Sequence, residues 1–357
     1  MKHLFTLTTA TAILALATAA CNARDSATGS AAANDAQSAA TVAPLKLATT
    51  TEFPGYTGDF DHFAIDTKDG RLFLAGEEYH EVEVLDLASG KILQRLPGYG
   101  APHSLLYMPA ANEMLVIDGE KPSPVLDAAT LRVKRTYDLP KGADSADYDR
   151  STGHLWVVTG GKDVPQKDSN LIELDPVTGT IIKSVHFDAD HVEALAVEQN
   201  GPNLYINVTD KNYLAVIEKA SGKILHQWKI NEAEQNAPLA MDEATHRLFV
   251  VTRKPGKLIV LNADTGATVA VLKAPERTDQ VTWDARNRRI YVTGGEGYTS
   301  VVEQVAPDSY REIARVTTAP GAKTATLDGA HQRLWIAASP GDSGAMGKLF
   351  GYDITAR

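Results

Sequence analysis

The stretch "FDHFAIDTKDGRLFLAG", residues 60–76, reads as two short apolar strands joined by a polar turn. Apolar residues alternate with small or polar ones in the first strand, and the pair Leu72 and Phe73 opens the second. Two polar residues, Asp61 and His62, stand directly before the first strand. The unit is therefore a hairpin with a polar entry, and its recurrence along the chain decides the fold.

The same unit occurs seven times without a gap inside it. The paired apolar residues that open its second strand are Leu72 and Phe73, Met114 and Leu115, Leu155 and Trp156, Leu204 and Tyr205, Leu248 and Phe249, Ile290 and Tyr291, and Leu334 and Trp335. Successive copies lie 41 to 49 residues apart, which is typical of repeat architectures. A third strand, a polar turn and a fourth strand follow in most copies. Seven four-stranded antiparallel units predict an all-β, seven-bladed β-propeller.

The seventh copy has room for only three strands before the sequence reaches Arg357. The segment "PLKLATTTEF", residues 44–53, precedes the first copy and alternates like a strand. We expect it to supply the missing outer strand of the seventh blade, because an open ring would expose a sheet edge at each end. Residues 44–357 are thus predicted to form one domain.

The N-terminal residues have the pattern of an export signal. Lys2 and His3 precede the apolar run "LFTLTTATAILALATAAC", which predicts a signal peptide over residues 1–20. "TAAC" resembles the lipobox of bacterial lipoproteins, which implies lipidation of Cys21 and, with Asn22 next, the outer membrane. Ordinary cleavage, which would leave a free thiol in the periplasm, is the alternative. Residues 21–43 are small and polar, and they predict a flexible tether.

The overall composition excludes some partners. The 357-residue chain has a formal net charge of −10, which argues against nucleic-acid binding because that requires a basic surface. No apolar stretch of transmembrane length follows the N-terminus, so membrane contact is expected only through the lipid anchor. We expect a monomer whose partner is a small molecule or an envelope protein.

Two later stretches connect the repeat to a known family. "RLFVVTRKPGKLIVLNADTGATVAVLKAP" (247–275) and "RIYVTGG" (289–295) resemble the YVTN β-propeller family, of the YncE-like kind. The resemblance covers residues 58–357 and implies a seven-bladed propeller in an exported bacterial protein. It implies no particular activity, since one propeller fold supports many functions.

Polar residues recur at the strand entries and predict a site. The aligned column that begins with Asp61 reads Asp61, His103, Asp144, Glu193, Ala237, Asp279 and Lys323. His62 and His191 lie beside this column in the sequence. Because strand entries of all blades converge around a propeller axis, we expect a ligand-binding funnel made of Asp61, His62, His103, Asp144, His191, Glu193, Asp279 and Lys323.

Three functions are compatible with this funnel, and polar entries that only meet solvent would show the same pattern. The first is binding of a small ligand or a partner protein at the funnel; the sequence assigns no catalytic residues for this function. The second is a metal-dependent hydrolase, lactonase or lyase that uses all the funnel residues except Lys323. The third is an envelope scaffold. If a divalent ion (Ca, Mg or Zn) is bound, the expected ligands are His62, His103, His191 and Glu193, because imidazole and carboxylate are common metal ligands.

Loops between the second and third strands are expected to open on the same face. They place a basic and aromatic collar around the funnel, formed by Tyr79, His80, Arg253, Lys254 and Tyr298. An acidic ring inside such a collar favours an anionic or zwitterionic ligand.

Overall fold

The computed structural model describes residues 43–341 and 345–356. The predicted signal peptide, Cys21 and all but the last residue of the predicted tether therefore lie outside the described residues. Apart from strands, the described regular elements comprise one 3₁₀ helix, Gly161–Asp163. Within these ranges, no helix is long and apolar enough to cross a membrane.

In the described residues, twenty-eight strands form seven four-stranded antiparallel sheets, which confirms the seven-bladed propeller. Blades 1 and 2 contain β2 (Phe63–Asp66), β3 (Arg71–Gly76), β4 (Glu81–Asp86), β5 (Ile92–Pro97), β6 (Pro102–Met108), β7 (Glu113–Asp118), β8 (Ser123–Asp127) and β9 (Val133–Tyr137). Blades 3 and 4 contain β10 (Ala146–Asp149), β11 (His154–Gly160), β12 (Ser169–Leu174), β13 (Ile181–Phe187), β14 (Val192–Val197), β15 (Asn203–Val208), β16 (Tyr213–Glu218) and β17 (Lys223–Lys229). Blades 5 and 6 contain β18 (Glu234–Asp242), β19 (Arg247–Lys254), β20 (Gly256–Asn262), β21 (Thr268–Lys273), β22 (Thr278–Asp284), β23 (Arg289–Gly294), β24 (Tyr298–Ala306) and β25 (Ser309–Thr317).

The seventh blade joins the two ends of the domain. It contains β26 (Ala322–Asp328), β27 (Arg333–Ala338), β28 (Gly347–Ile354) and the first strand of the domain, β1 (Leu45–Phe53). β1 runs antiparallel to β28, with Leu45 opposite Ile354 and Phe53 opposite Gly347. The prediction that residues 44–53 close the ring is confirmed.

The hydrophobic core lies between the blades. Among the described residues, buried apolar side chains form seven clusters, and each cluster combines residues of two neighbouring blades. The pairs that open the second strands are fully or almost fully buried in these clusters, and they include Trp156 and Trp335 at 0% exposure. The same repeat that predicted the blade count therefore supplies the packing between blades. First strands of different blades face a common central space, since residues of β2, β10, β14 and β26 line one cavity.

The turn between the third and fourth strands needs one residue with positive φ. Gly90 supplies it in blade 1, with φ 72°. Blades 2 and 6 lack this glycine, and there Leu131 (φ 58°) and Asp308 (φ 61°) adopt the same left-handed conformation. In blade 2 the side chain of Asp127 accepts hydrogen bonds from the backbone and hydroxyl of Thr130, which holds the turn without glycine.

Blade 1 buries a carboxyl group that lacks a good partner. Glu83 in β4 is 0% exposed, and neither of its oxygens accepts a hydrogen bond from the described residues. The Arg95 Nε lies 3.3 Å from one of these oxygens. Burial raises the pKa of Glu83 to about 7; Glu81 adds to this rise and Arg95 opposes it. The folded protein therefore holds this proton more firmly than the unfolded chain does.

Replacing Glu83 by Gln is expected to stabilise the protein at high pH. In the native chain this group favours folding fully below its ordinary pKa of 4.5, and the contribution is lost as the pH rises through about 7. Glu83→Gln removes this loss, so we expect a gain of about 2 kcal/mol in the free energy of unfolding at pH 8. Denaturant unfolding at pH 4.5 and pH 8 measures the difference. The exposed Glu52 on β1 provides a control, Glu52→Gln, which should show no such pH-dependent gain; an equal gain in both variants would contradict the assignment.

Candidate functional site

Strand pairing is irregular at most of the polar strand entries. Five of the seven first strands change register against their second strand near the entry, in blades 2, 4, 5, 6 and 7. Such β-bulges re-aim side chains locally. In blades 1 and 3 the entry residues precede the strand, and backbone bonds fix them: Asp61 N donates to Ala75 O (2.9 Å) and Asp144 N donates to Val158 O (3.0 Å).

These entries surround a polar cavity of about 310 Å³ on the axis. Every predicted funnel residue lines it. Its ionisable lining consists of Asp59, Asp61, His62, Glu77, Glu78, His103, Asp144, Lys162, Asp190, His191, Glu193, Arg253, Asp279 and Lys323. Among the described residues, eight carboxyl groups thus face three Lys and Arg side chains and three histidines, so this lining has an excess of acidic groups.

Blades 1 to 3 form one wall of the cavity around His103. The His103 Nδ1 lies 2.7 Å from Asp61 Oδ2 and 3.7 Å from Asp144 Oδ1. The second oxygen of Asp61 lies 3.4 Å from His62 Nε2. The other edge of the His103 ring lies against Gly119, where a Cβ atom would stand 3.1 Å from Nε2. One imidazole is therefore held between two carboxylates from neighbouring blades, and Gly119 leaves it room.

Blades 4 to 7 form the opposite wall as a chain of ion pairs. His191 Nε2 lies 2.5 Å from Glu193 Oε1, and Arg253 Nη1 donates to the same oxygen at 3.1 Å. The Arg253 Nη2 contacts Asp279, whose second oxygen lies 2.8 Å from Lys323 Nζ. Lys323 Nζ also lies 2.6 Å from Asp59 Oδ2, which brings the chain back to blade 1.

Proton affinities on the first wall follow from burial and close charges. Burial would raise the pKa of Asp61, but His62 and the hydrogen bond from His103 lower it. Burial raises the pKa of Asp144; the charge of His103 opposes this rise, and Asp61 and Glu193 add to it. Burial would lower the pKa of His103, yet Asp144 and Asp61 raise it well above its ordinary value. The wall therefore holds a proton strongly when no other cation lies there.

The other groups divide in the same way. Burial raises the pKa of Glu77 to about 7, and the charge of Asp61 adds to this effect. Burial would raise the pKa of Glu193, but the hydrogen bond with His191 and the charge of Arg253 hold it well below its ordinary value. Glu77 is thus a carboxyl group that can exchange a proton near neutral pH, whereas Glu193 is a fixed anion.

The structure separates the residues of the predicted collar. Arg253 lies inside the cavity, as part of the ring of ion pairs. Tyr79 packs against Tyr56 with tilted rings whose centroids are 4.3 Å apart, and Tyr298 lies beside Arg315 in a groove between blades 5 and 6. His80 and Lys254 are exposed and, like those two tyrosines, do not belong to the described lining of the cavity. Of the five residues predicted for the collar, Arg253 therefore belongs to the described lining of the cavity, and the place of the other four around its mouth stays a prediction.

A second column of the repeat shows why Arg253 and Glu77 reach the cavity. Five residues after the first apolar position of the second strand, the seven copies read Glu77, Gly119, Gly160, Thr209, Arg253, Gly295 and Ser339. Small residues dominate this column, and its two charged members line the cavity. In blade 5 the strand-entry column holds the uncharged Ala237, and the charged side chain that this blade places in the cavity is Arg253 from the second column. A charged residue in a column of mostly small residues is the signal that could have identified Glu77 and Arg253 as cavity residues from the sequence.

Comparison with known proteins supports the fold. No protein-family model matches the sequence, and no curated protein is significantly similar to it. Membership of the YncE-like family therefore stays a prediction. A solved structure of Kuenenia stuttgartiensis hydrazine synthase is similar, with a TM-score of 0.69 and 13% sequence identity; the match covers 83% of this chain and 95% of that one. At this identity the likeness shows the fold alone: the chain is a seven-bladed β-propeller.

Proposed function

We propose that this propeller binds a small, positively charged or zwitterionic ligand in the axial cavity. The observation that carries the proposal is the lining, in which, among the described residues, eight carboxyl groups outnumber the three Lys and Arg side chains and the three histidines together within about 310 Å³. That volume lies near the lower end of the range for small-molecule sites. Arg253 and Lys323 are each already shared between two carboxylates, so they leave little charge for an anion. Export and lipid anchoring at Cys21 remain part of this proposal, on the sequence pattern alone.

A matched pair of five-carbon probes tests the sign of the preferred charge. In the presence of a chelator, we expect the diamine cadaverine to raise the melting temperature by about 2 °C at ten times its dissociation constant. The dicarboxylate glutarate should leave the melting temperature unchanged. Asp144→Asn should remove the effect of the diamine, whereas Asp264→Asn, at an exposed position outside the cavity, should retain it. Stabilisation by glutarate instead of cadaverine would contradict the proposal.

A second candidate function is metal-dependent hydrolysis or elimination, as in a hydrolase, lactonase or lyase. One specific observation favours it: single ligand atoms of Asp61, His103 and Asp144 all lie within 4.8 Å of one another. A divalent ion there would supply Lewis-acid activation of a carbonyl group or of water. Turnover of a panel of esters and lactones, measured with added Zn²⁺ or Mn²⁺ and with chelator, tests it. Metal-independent turnover, or none with any metal, would remove this candidate.

A further inference from the structure

Three neighbouring blades each contribute one metal-binding side chain to a single point on the cavity wall. Asp61, His103 and Asp144 come from blades 1, 2 and 3, and their three ligand atoms lie within 4.8 Å of one another. His103 Nδ1 stands between the two carboxylates, 2.7 Å from one and 3.7 Å from the other. Two atoms bound to the same zinc ion at 2.0–2.2 Å lie no more than about 4.4 Å apart. The two separations from His103 meet this limit, and the two carboxylate oxygens lie within 4.8 Å of each other.

We infer that Asp61, His103 and Asp144 bind one first-row transition-metal dication, such as Zn²⁺, through one nitrogen and two carboxylate oxygens. This inference deepens the second candidate function, on whose site it rests, and names its ion and ligands. The ligand set differs from the one expected from the sequence, which combined His62, His103, His191 and Glu193. Of those four, only His103 belongs to the cluster.

The contacts of the other three residues explain this difference. Glu193 receives both His191 and Arg253 on one oxygen, so that carboxylate is already neutralised on the opposite wall. His62 faces the oxygen of Asp61 that is turned away from His103. It is therefore a positioning residue that orients Asp61, in the way that outer-shell partners orient metal ligands.

The kind of ligand atom selects the class of ion. Ca²⁺ takes six to eight oxygen ligands, and Mg²⁺ is held by oxygens with several waters kept in place. An imidazole nitrogen beside two carboxylates suits the first-row transition metals better. Three protein ligands that face a cavity also leave coordination positions for water or a substrate, as catalytic zinc sites do. Glu77 adds a further carboxyl group to the lining of the same cavity.

The backbone makes the site rigid before any ion arrives. The amides of Asp61 and Asp144 donate to Ala75 O and Val158 O, and His62 N donates to His103 O at 3.3 Å. Gly119 supports the imidazole from behind, with its amide donating to Ala101 O. Binding therefore needs small side-chain adjustments rather than a loop closure.

Titration of the full chain with metal alone tests the inference. After treatment with chelator and dialysis, we expect calorimetry to show one Zn²⁺ per chain, and Co²⁺ to give visible absorption bands of a low-coordinate site. His103→Gln and Asp144→Asn should each weaken Zn²⁺ binding by more than about 100-fold, the upper end for loss of an outer-shell partner. His62→Gln should weaken it by about 10- to 100-fold. The control His154→Gln removes another carboxylate-paired histidine, bonded to Glu173 outside the cavity, and should bind as the native chain does.

Three outcomes would overturn the inference: no Zn²⁺ uptake by the native chain, undiminished uptake by Asp144→Asn, or a loss caused by His191→Gln and not by His103→Gln. Circular dichroism and melting curves establish whether each variant is folded. If His103→Gln does not fold, Asp144→Asn alone tests the loss of a ligand. Cadaverine binding is measured with chelator present and therefore does not depend on a bound metal. Failure of the diamine test and failure of the metal test can thus be told apart.

Discussion

Arg253→Ala is expected to lower the free energy of unfolding by about 3 kcal/mol, since removing this half-buried cation leaves Glu193 with only His191, and Asp279 with only Lys323, as a charged partner. Arg253 contacts both Glu193 and Asp279 through its guanidinium, and its Nε donates to Thr278 O at 3.2 Å. The side chain is 23% exposed, so the expected loss lies at the low end of the range for such pairs. Denaturant unfolding measures it.

Two variants complete this experiment. Arg253→Lys keeps the charge but cannot donate in a planar fork to two carboxylates, so we expect a smaller loss than with alanine. Lys273→Ala removes an exposed cation from the outer strand of the same blade and should change stability by no more than about 0.5 kcal/mol. Equal stability of Arg253→Ala and Lys273→Ala would show that the ring of ion pairs does not support the fold.

Removing β1 is expected to have a still larger effect. A chain that starts at Pro54 lacks the nine residues of β1 and leaves β28 as an unpaired edge. It also loses Phe53, which is fully buried in the cluster between blades 7 and 1, and loss of a buried Phe side chain alone costs about 3–5 kcal/mol. We therefore expect the shortened chain to melt without a sharp transition and to aggregate.

A chain that starts at Pro44 is the matched control, since it keeps every residue of β1. It should melt as cooperatively as the full sequence in a calorimetric scan. A second test adds the peptide of residues 44–53 to the shortened chain, where it should restore part of the transition. Cooperative melting of the Pro54 chain at the temperature of the Pro44 chain would mean that β1 does not close the ring.

Repetition explains how much of the fold could be predicted. Seven copies of one apolar pair fix the number of blades. In every blade, one member of the pair packs against the preceding blade and the other against the following blade, as Leu72 and Phe73 do. The short seventh copy and the alternating segment 44–53 together indicate how the ring closes. The turns of blades 2 and 6 were harder to predict, because Leu131 and Asp308 adopt positive φ where glycine is the usual sign.

The candidate site was predictable as a location and less so as a set of contacts. Aligned strand entries placed Asp61, His103 and Asp144 around one axis, yet the alignment does not say which neighbours touch. That depends on the bulges at the entries and on free space such as that left by Gly119. Arg253 was assigned to the collar because it was expected in the loop after a second strand. In the structure it lies within β19 and lines the cavity.

Ring closure by β1 also sets the order in which a nascent chain can fold. Leu45 can pair with Ile354 only after Ile354 has been synthesised. The first strand of the domain therefore stays unpaired until almost the whole chain has been translated. Contacts of such long sequence separation form slowly, because loop closure must be paid for before they add stability. Final assembly is therefore a single late event, and a circular permutant opened at another turn would move that event to a different blade.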